Sequence, residues 1–119
     1  VLDQFVTAFE KTDVALLTEL LRRDVELEMP PIPTWFTGRA AVAGFYRERV
    51  FATTAYRQFV RTRANGCPAT AAYQLQDDGR LHAHSIQVLE IVDGKIAHVY
   101  AFLDPALFAC FGLPPIWER

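Results

Sequence analysis

Leu2, Phe5, Val6 and Phe9 recur at i, i+3, i+4 and i+7, the stripe of a helix with one buried side. Thr12 and Asp13 break the stripe, and either can cap a following helix. Val14, Leu17, Leu20 and Leu21 then resume it. Residues 1–23 therefore read as two helices joined by a tight corner. From Val25 to Met29 apolar and acidic residues alternate, with Glu26 and Glu28 turned away from Val25, Leu27 and Met29. This spacing predicts a short half-buried strand whose two acids face out. Pro30, Pro31 and Pro33 then exclude helix and favour an extended loop. Thr37 is a good N-cap for a third helix carrying Val42, Phe45, Tyr46 and Val50 on one stripe.

From Tyr56 onward the period is two. Tyr56–Ala64, Ala69–Gln76, Leu81–Val92 and Lys95–Leu103 read as strands. Asp77-Asp78-Gly79-Arg80 and Asp93-Gly94 predict hairpin turns between them. Asp104-Pro105 ends the last strand, Ala106–Phe111 can form one or two helical turns, and Gly112 stops them. Helices first and antiparallel strands afterwards is an α+β order. The simplest packing is a cone: a curved sheet whose concave side faces the aromatic stripes of three N-terminal helices, with a pocket between. With 119 residues and neither repeats nor linkers, a single domain over 1–119 is expected.

Composition narrows the function classes. Half the residues are apolar (51%), which excludes a disordered chain, and a formal charge of −2 argues against a dedicated nucleic-acid binder. No apolar run approaches the roughly 20 residues that span a bilayer. No signal-peptide pattern opens the chain, which starts at Val1 and so reads as trimmed or as a piece of something longer. Cys67 and Cys110 lack metal-binding or redox spacing and read as unpaired thiols of a cytoplasmic protein. Phosphate-loop, dinucleotide and hydrolase-elbow motifs are absent, so no cofactor is expected.

Several separated segments carry a resemblance. Val88–Asp104, with its Asp93-Gly94-Lys95-Ile96 turn and its aromatic-rich end, resembles the SnoaL-like group of the nuclear transport factor 2-like superfamily. Leu27-Glu28-Met29-Pro30-Pro31, Pro33-Thr34-Trp35-Phe36, Thr62-Arg63-Ala64-Asn65-Gly66, Phe102–Phe108 and Phe111-Gly112-Leu113-Pro114-Pro115 are similar to one subgroup. That subgroup is the C-terminal SnoaL-like domain attached to certain bacterial extracytoplasmic-function sigma factors. The resemblance implies a cone-shaped α+β domain with a mixed or antiparallel sheet and an accessory role beside sigma-factor domains or RNA polymerase. The superfamily also holds ketosteroid isomerases, polyketide cyclases and epoxide hydrolases. At the isomerase's base position this chain has Met29, and at its tyrosine position Phe5. Met takes no proton and Phe donates no hydrogen bond, so the steroid-isomerase pair is missing.

Asp104 matches an acid or base position of SnoaL-like enzymes, while Asp before Pro is equally a helix cap. Tyr100 and Phe102 share its strand parity and should line the pocket if it does. His84 is expected to point into the cone, on the strand face of His82, Ile86 and Val88. That pair lacks a third ligand, so no metal site is expected. Trp35 and Phe36 should fold over the mouth, with Met29 beside them, as ligand-binding surface. Arg57, Arg61 and Arg63, with Phe59 between them, read as a solvated outer face or as a dimer or sigma-domain contact.

Three functions follow. The first is a regulatory domain that binds an unidentified hydrophobic small molecule in an apolar pocket. The second is a small cofactor-independent cyclase, isomerase or hydratase using Asp104 with His84 or Tyr100. The third is a dimerisation module pairing through outer polar residues such as Gln74, Gln76 and Gln87.

Overall fold

The computed structural model describes residues 1–30, 32–51, 57–64 and 66–118, with the backbone alone at 32–34. Helices α1 (Leu2–Lys11) and α2 (Val14–Leu20) meet at the corner the stripe predicts. Asp13 is the cap, its carboxylate accepting from the Leu16 amide at 3.0 Å. Strand β1 (Leu21–Met29) starts directly at the end of α2, four residues earlier than the alternation at Val25 suggests. The proline-rich stretch is not a loop. Its backbone forms strand β2 (Ile32–Thr37), which pairs antiparallel with β1 at the edge of the sheet. A proline is tolerated there because an edge strand leaves one side of its amides unused.

Helix α3 (Arg39–Phe45) follows Gly38, which has no capping side chain, so Thr37 ends a strand and does not cap a helix. The helix then widens into a π turn at Tyr46–Val50, closed by the Phe51 amide donating to the Tyr46 carbonyl at 2.7 Å. Strands β3 (Arg57–Ala64), β4 (Cys67–Leu75), β5 (Leu81–Val92) and β6 (Lys95–Phe102) form the antiparallel half. Tyr56, placed on β3 by the periodicity, lies outside the described residues, as do Pro31 and Asn65 of the quoted motifs. At the β5–β6 turn Asp93 and Gly94 both have positive φ (53° and 76°), the geometry a two-residue hairpin requires.

The strands run in the order β2-β1-β6-β5-β4-β3, with β1 parallel to β6 and the other pairs antiparallel. The result is a mixed, curved, unclosed sheet with the helices on one side, the α+β cone expected. Its helix side holds the larger core, with Phe5, Phe9, Leu17, Leu27, Tyr46, Leu89 and Val99. The other side is apolar too. A 3₁₀ helix (Pro105–Phe111) and strand β7 (Ile116–Trp117) fold back onto it. Phe108 and Trp117 there flank Tyr73 at ring distances of 5.1 and 5.4 Å, and the Tyr73 hydroxyl donates to the Pro114 carbonyl at 2.8 Å.

Two bulges decide which residues see which side. Between β4 and β5, Ala72 pairs with Ser85 and Tyr73 with Ala83, leaving His84 as the extra residue. Between β5 and β6, Glu90 pairs with His98 and Ile91 with Ile96, leaving Ala97 extra. Strict alternation is therefore wrong across both. Ile96 joins the helix-side core, whereas His98, Tyr100 and Phe102 face the other way, in register with Glu26, Glu28, Ile86 and Val88.

Phe108 is buried to 1% exposure and anchors the returning C-terminal segment. Phe108→Ala should lower stability by about 3–5 kcal/mol in denaturant unfolding. A loss below about 1 kcal/mol would show that the returning segment is not a fixed cover.

Candidate functional site

A cavity of about 650 Å³ opens between the helices and the concave side of the sheet. Its apolar wall includes Phe9, Met29, Phe45, Val50, Phe59, Ala72 and Ala101. Phe9 is the hub of that wall, with its ring 5.3 Å from Tyr46, 5.0 Å from Phe51 and 5.8 Å from Phe59, each edge-on. Bulky rings meeting edge to face keep the helices away from the sheet, while Ala72 and Ala101 on the sheet do not fill the gap.

The polar groups of the wall are Tyr46, Arg49, Arg57, Gln74, His84, Ser85 and Gln87. The buried Tyr46 hydroxyl donates to Gln87 Oε1 at 2.6 Å, and burial pushes its pKa well above the ordinary phenol range. It therefore stays a neutral donor. His84 Nδ1 lies 3.2 Å from Ser85 Oγ, and the bulge brings these consecutive residues to the same cavity. Burial, and next the positive charge of Arg57, hold the His84 imidazole below its ordinary pKa, so it is neutral at pH 7. Burial also lowers the pKa of the Arg57 guanidinium, a group so basic that it stays charged in proteins. No aspartate or glutamate is among the described residues of the wall.

Of the residues expected to carry catalysis or ligand binding, the cavity collects His84 and Met29. Asp104 is exposed and does not reach the wall, although Leu103 and Pro105 on either side of it do. Its carboxylate accepts from the Ala106 amide at 3.0 Å and caps the 3₁₀ helix. Tyr100 and Phe102 lie on the far side of the sheet because the Ala97 bulge sets their parity. Phe102 packs in the outer cluster. Tyr100 stacks on His98 at 4.1 Å, and burial followed by the Glu90 and Glu28 charges raises its pKa. Trp35 does not cover the mouth. It is 55% exposed, and its ring meets His98 edge-on at 5.9 Å on that same outer side. Phe36 packs on Phe45 at 4.9 Å, behind the cavity wall.

The outer side holds one polar contact the alternation did not foresee: Glu28 is half-buried, with its Oε1 3.1 Å from His98 Nε2. His82 lies apart from His84, paired with Asp78 at 2.7 Å on the rim. Among the described residues no group of three or more His, Cys, Asp or Glu is placed to hold a metal ion. The arginine stripe divides, with Arg61 and Arg63 exposed as expected and Arg57 turned inward. Phe59 is in the core, Arg57 lines the cavity, and Arg61 pairs with Asp3 of α1 at 2.6 Å. Gln74 and Gln87, proposed for an outer interface, also face the cavity.

Tyr46, Arg49, Gln74, Ser85 and Gln87 went unrecognised as wall residues. Tyr46 was legible as part of an apolar stripe, and its position four residues after Val42 gave no hint that its hydroxyl would be used.

Residues 2–99 match the family described as "SnoaL-like domain". The chain belongs to this SnoaL-like family. It is 34% identical over 114 residues to the ECF RNA polymerase sigma factor SigG of Mycobacterium tuberculosis, covering 95% of this chain and 30% of SigG. The chain thus spans under a third of that relative. Among solved structures, an NTF2-like protein of unknown function from Mesorhizobium loti superposes with a TM-score of 0.71 at 18% identity, covering 87% of each chain. An LEH-like epoxide hydrolase of M. tuberculosis superposes with a TM-score of 0.65 at 16% identity, covering 92% of this chain and 85% of that one. These likenesses show the fold. In this SnoaL-like chain no helix among the described residues is long and apolar enough to cross a membrane.

Two outcomes test the wall. Because the native state depresses the His84 pKa, the unfolded chain takes up the proton first. Stability should be fully present above about pH 6.5 and fall as pH drops through the folded pKa. His84→Gln should flatten that part of a stability–pH curve, and an unchanged slope would refute the burial. Tyr46→Phe should cost about 1–3 kcal/mol in chemical unfolding, since Gln87 loses its donor in a buried place.

Proposed function

We propose that this SnoaL-like domain binds a hydrophobic small molecule between its helices and sheet and serves a regulatory, accessory role in the cytoplasm. In this reading the role is exercised beside sigma-factor regions or RNA polymerase. The carrying observation is the cavity itself: about 650 Å³, walled mainly by aromatic and aliphatic groups, with a few convergent polar ones. That size and lining suit a drug-sized organic molecule. The regulatory half draws on the 34% identity to SigG. It assigns the outward contact, to sigma regions or to a second copy, to the β2–β1–β6 part of the outer side, where Trp35 is exposed.

The catalytic reading has less behind it. Asp104 caps its own helix, and Tyr100 is on the opposite side of the sheet from the cavity. Proton transfer near neutrality would fall to His84 alone among the described wall residues, with no carboxylate to orient it.

Native mass spectrometry of the chain isolated from its own host tests the binding. The expected result is a non-covalent hydrophobic compound on the wild type that is lost in Ala101→Trp and reduced in Ala72→Leu, both of which fill the hollow. Circular dichroism should show all three folded. A wild type that carries nothing and takes up nothing from a hydrophobic metabolite extract would sink the proposal.

A further inference from the structure

The cavity wall is electrically lopsided. Arg49 reaches it from the π turn after α3, and Arg57 from the first residue of β3. Outside the wall, Arg22, Arg47, Arg61 and Arg80 each have a carboxylate within 4 Å, and Arg23, Arg39 and Arg63, with none among the described residues, are exposed to water. Neither Arg49 nor Arg57 has such a partner among the described residues, and no described carboxylate lines the wall. Arg57 is half-buried, so its charge is partly stripped of water without a counter-charge. Its field is felt by its neighbour, since it helps to keep His84 neutral. The formal charge of the whole chain is −2, so the bias belongs to this site and not to the protein.

The remaining polar wall favours the same charge. The Tyr46 hydroxyl engages Gln87 Oε1, and the described residues form no hydrogen bond to the Gln87 amide nitrogen, which is left as a donor. Guanidinium and amide N–H groups can donate, and guanidinium cannot accept. An apolar hollow ending in unmatched cations suits a molecule with a greasy body and an anionic head, the head forming charge-assisted hydrogen bonds that a neutral group would not.

We infer that the ligand of this cavity is a hydrophobic anion, its body against Phe9, Phe45 and Phe59 and its carboxylate or equivalent head at Arg49 and Arg57. This rests on the ligand-binding reading above and narrows it to a charge class. It also separates the site from one built for a neutral, purely apolar compound.

The test titrates the chain with 1-pyrenebutyrate, 1-pyrenebutanol and 4-(1-pyrenyl)butyltrimethylammonium, each below its aggregation concentration, and follows pyrene fluorescence. The acid should bind about tenfold or more tightly than the alcohol, and the cation most weakly. Added salt should weaken the acid and leave the alcohol unchanged. In the R49Q/R57Q double variant the acid should fall to the level of the alcohol, whose affinity stays put. R49Q alone, at an exposed position, should reduce the preference with the fold undisturbed. Equal binding of acid and alcohol, or a preference that survives in the folded double variant, overturns the charge assignment and leaves the cavity reading standing. Binding of none of the three overturns both.

Discussion

A sheet whose side chains are apolar on both sides cannot leave either side wet, and that constraint organises this molecule. Leu27, Leu89 and Val99 demand cover on one side, and Tyr73, Ile86 and Val88 on the other. The three helices supply the first cover and the returning C-terminal segment the second. The two covers differ in closeness. Phe108 and Trp117 press directly on Tyr73, whereas the helix layer meets the sheet through the edge-on rings around Phe9 and Tyr46. Rings packed on rings leave space where the sheet offers only Ala72 and Ala101. The hollow is thus a by-product of large residues facing small ones, with the sheet closely covered at Tyr73 on one side and propped open on the other.

Much of this arrangement was legible in the sequence. The helical stripes of α1 and α2 and the period-two runs of β4 to β6 follow from burying one side of each element. The Asp93-Gly94 turn follows from the backbone conformation a tight hairpin needs. What escaped was parity. One extra residue at His84 and another at Ala97 invert every side chain beyond them, and neither leaves a mark in the hydrophobic pattern. Tyr100 and Phe102 follow Asp104 in parity, and with Asp104 off the wall they belong to the opposite side, while the Ala97 bulge parts them from Ile96. β2 escaped for another reason: its prolines do read as extended, but pairing with β1 is a tertiary decision.

The candidate site was legible in proportion to how local its causes are. Met29 could be placed from its own strand, whereas His84 reaches the cavity through its bulge, apart from Ile86 and Val88, whose face the alternation gave it. Arg57 and Gln87 could not be placed, because their inward direction depends on neighbours distant in sequence: Phe59 buried under α1, and the Tyr46 hydroxyl 41 residues away. Asp104 is the opposite case, with a local cause that the Asp-Pro pair already offered. A carboxylate beside a proline satisfies the nearest unpaired amide, and that local bond holds it away from the hollow its two neighbours reach.

The parallel pairing of β1 with β6 carries a consequence for how the chain acquires its shape. Glu28 touches His98 across 70 positions, and Leu27 lies beside Val99. Until β6 has been synthesised, β1 and its partner β2 form only a two-stranded ribbon, too small to be stable by itself. A ribosome making this polypeptide therefore releases most of it before the central strand finds its neighbour, and such late, long-range closure belongs with slow folding and a need for protection in the meantime.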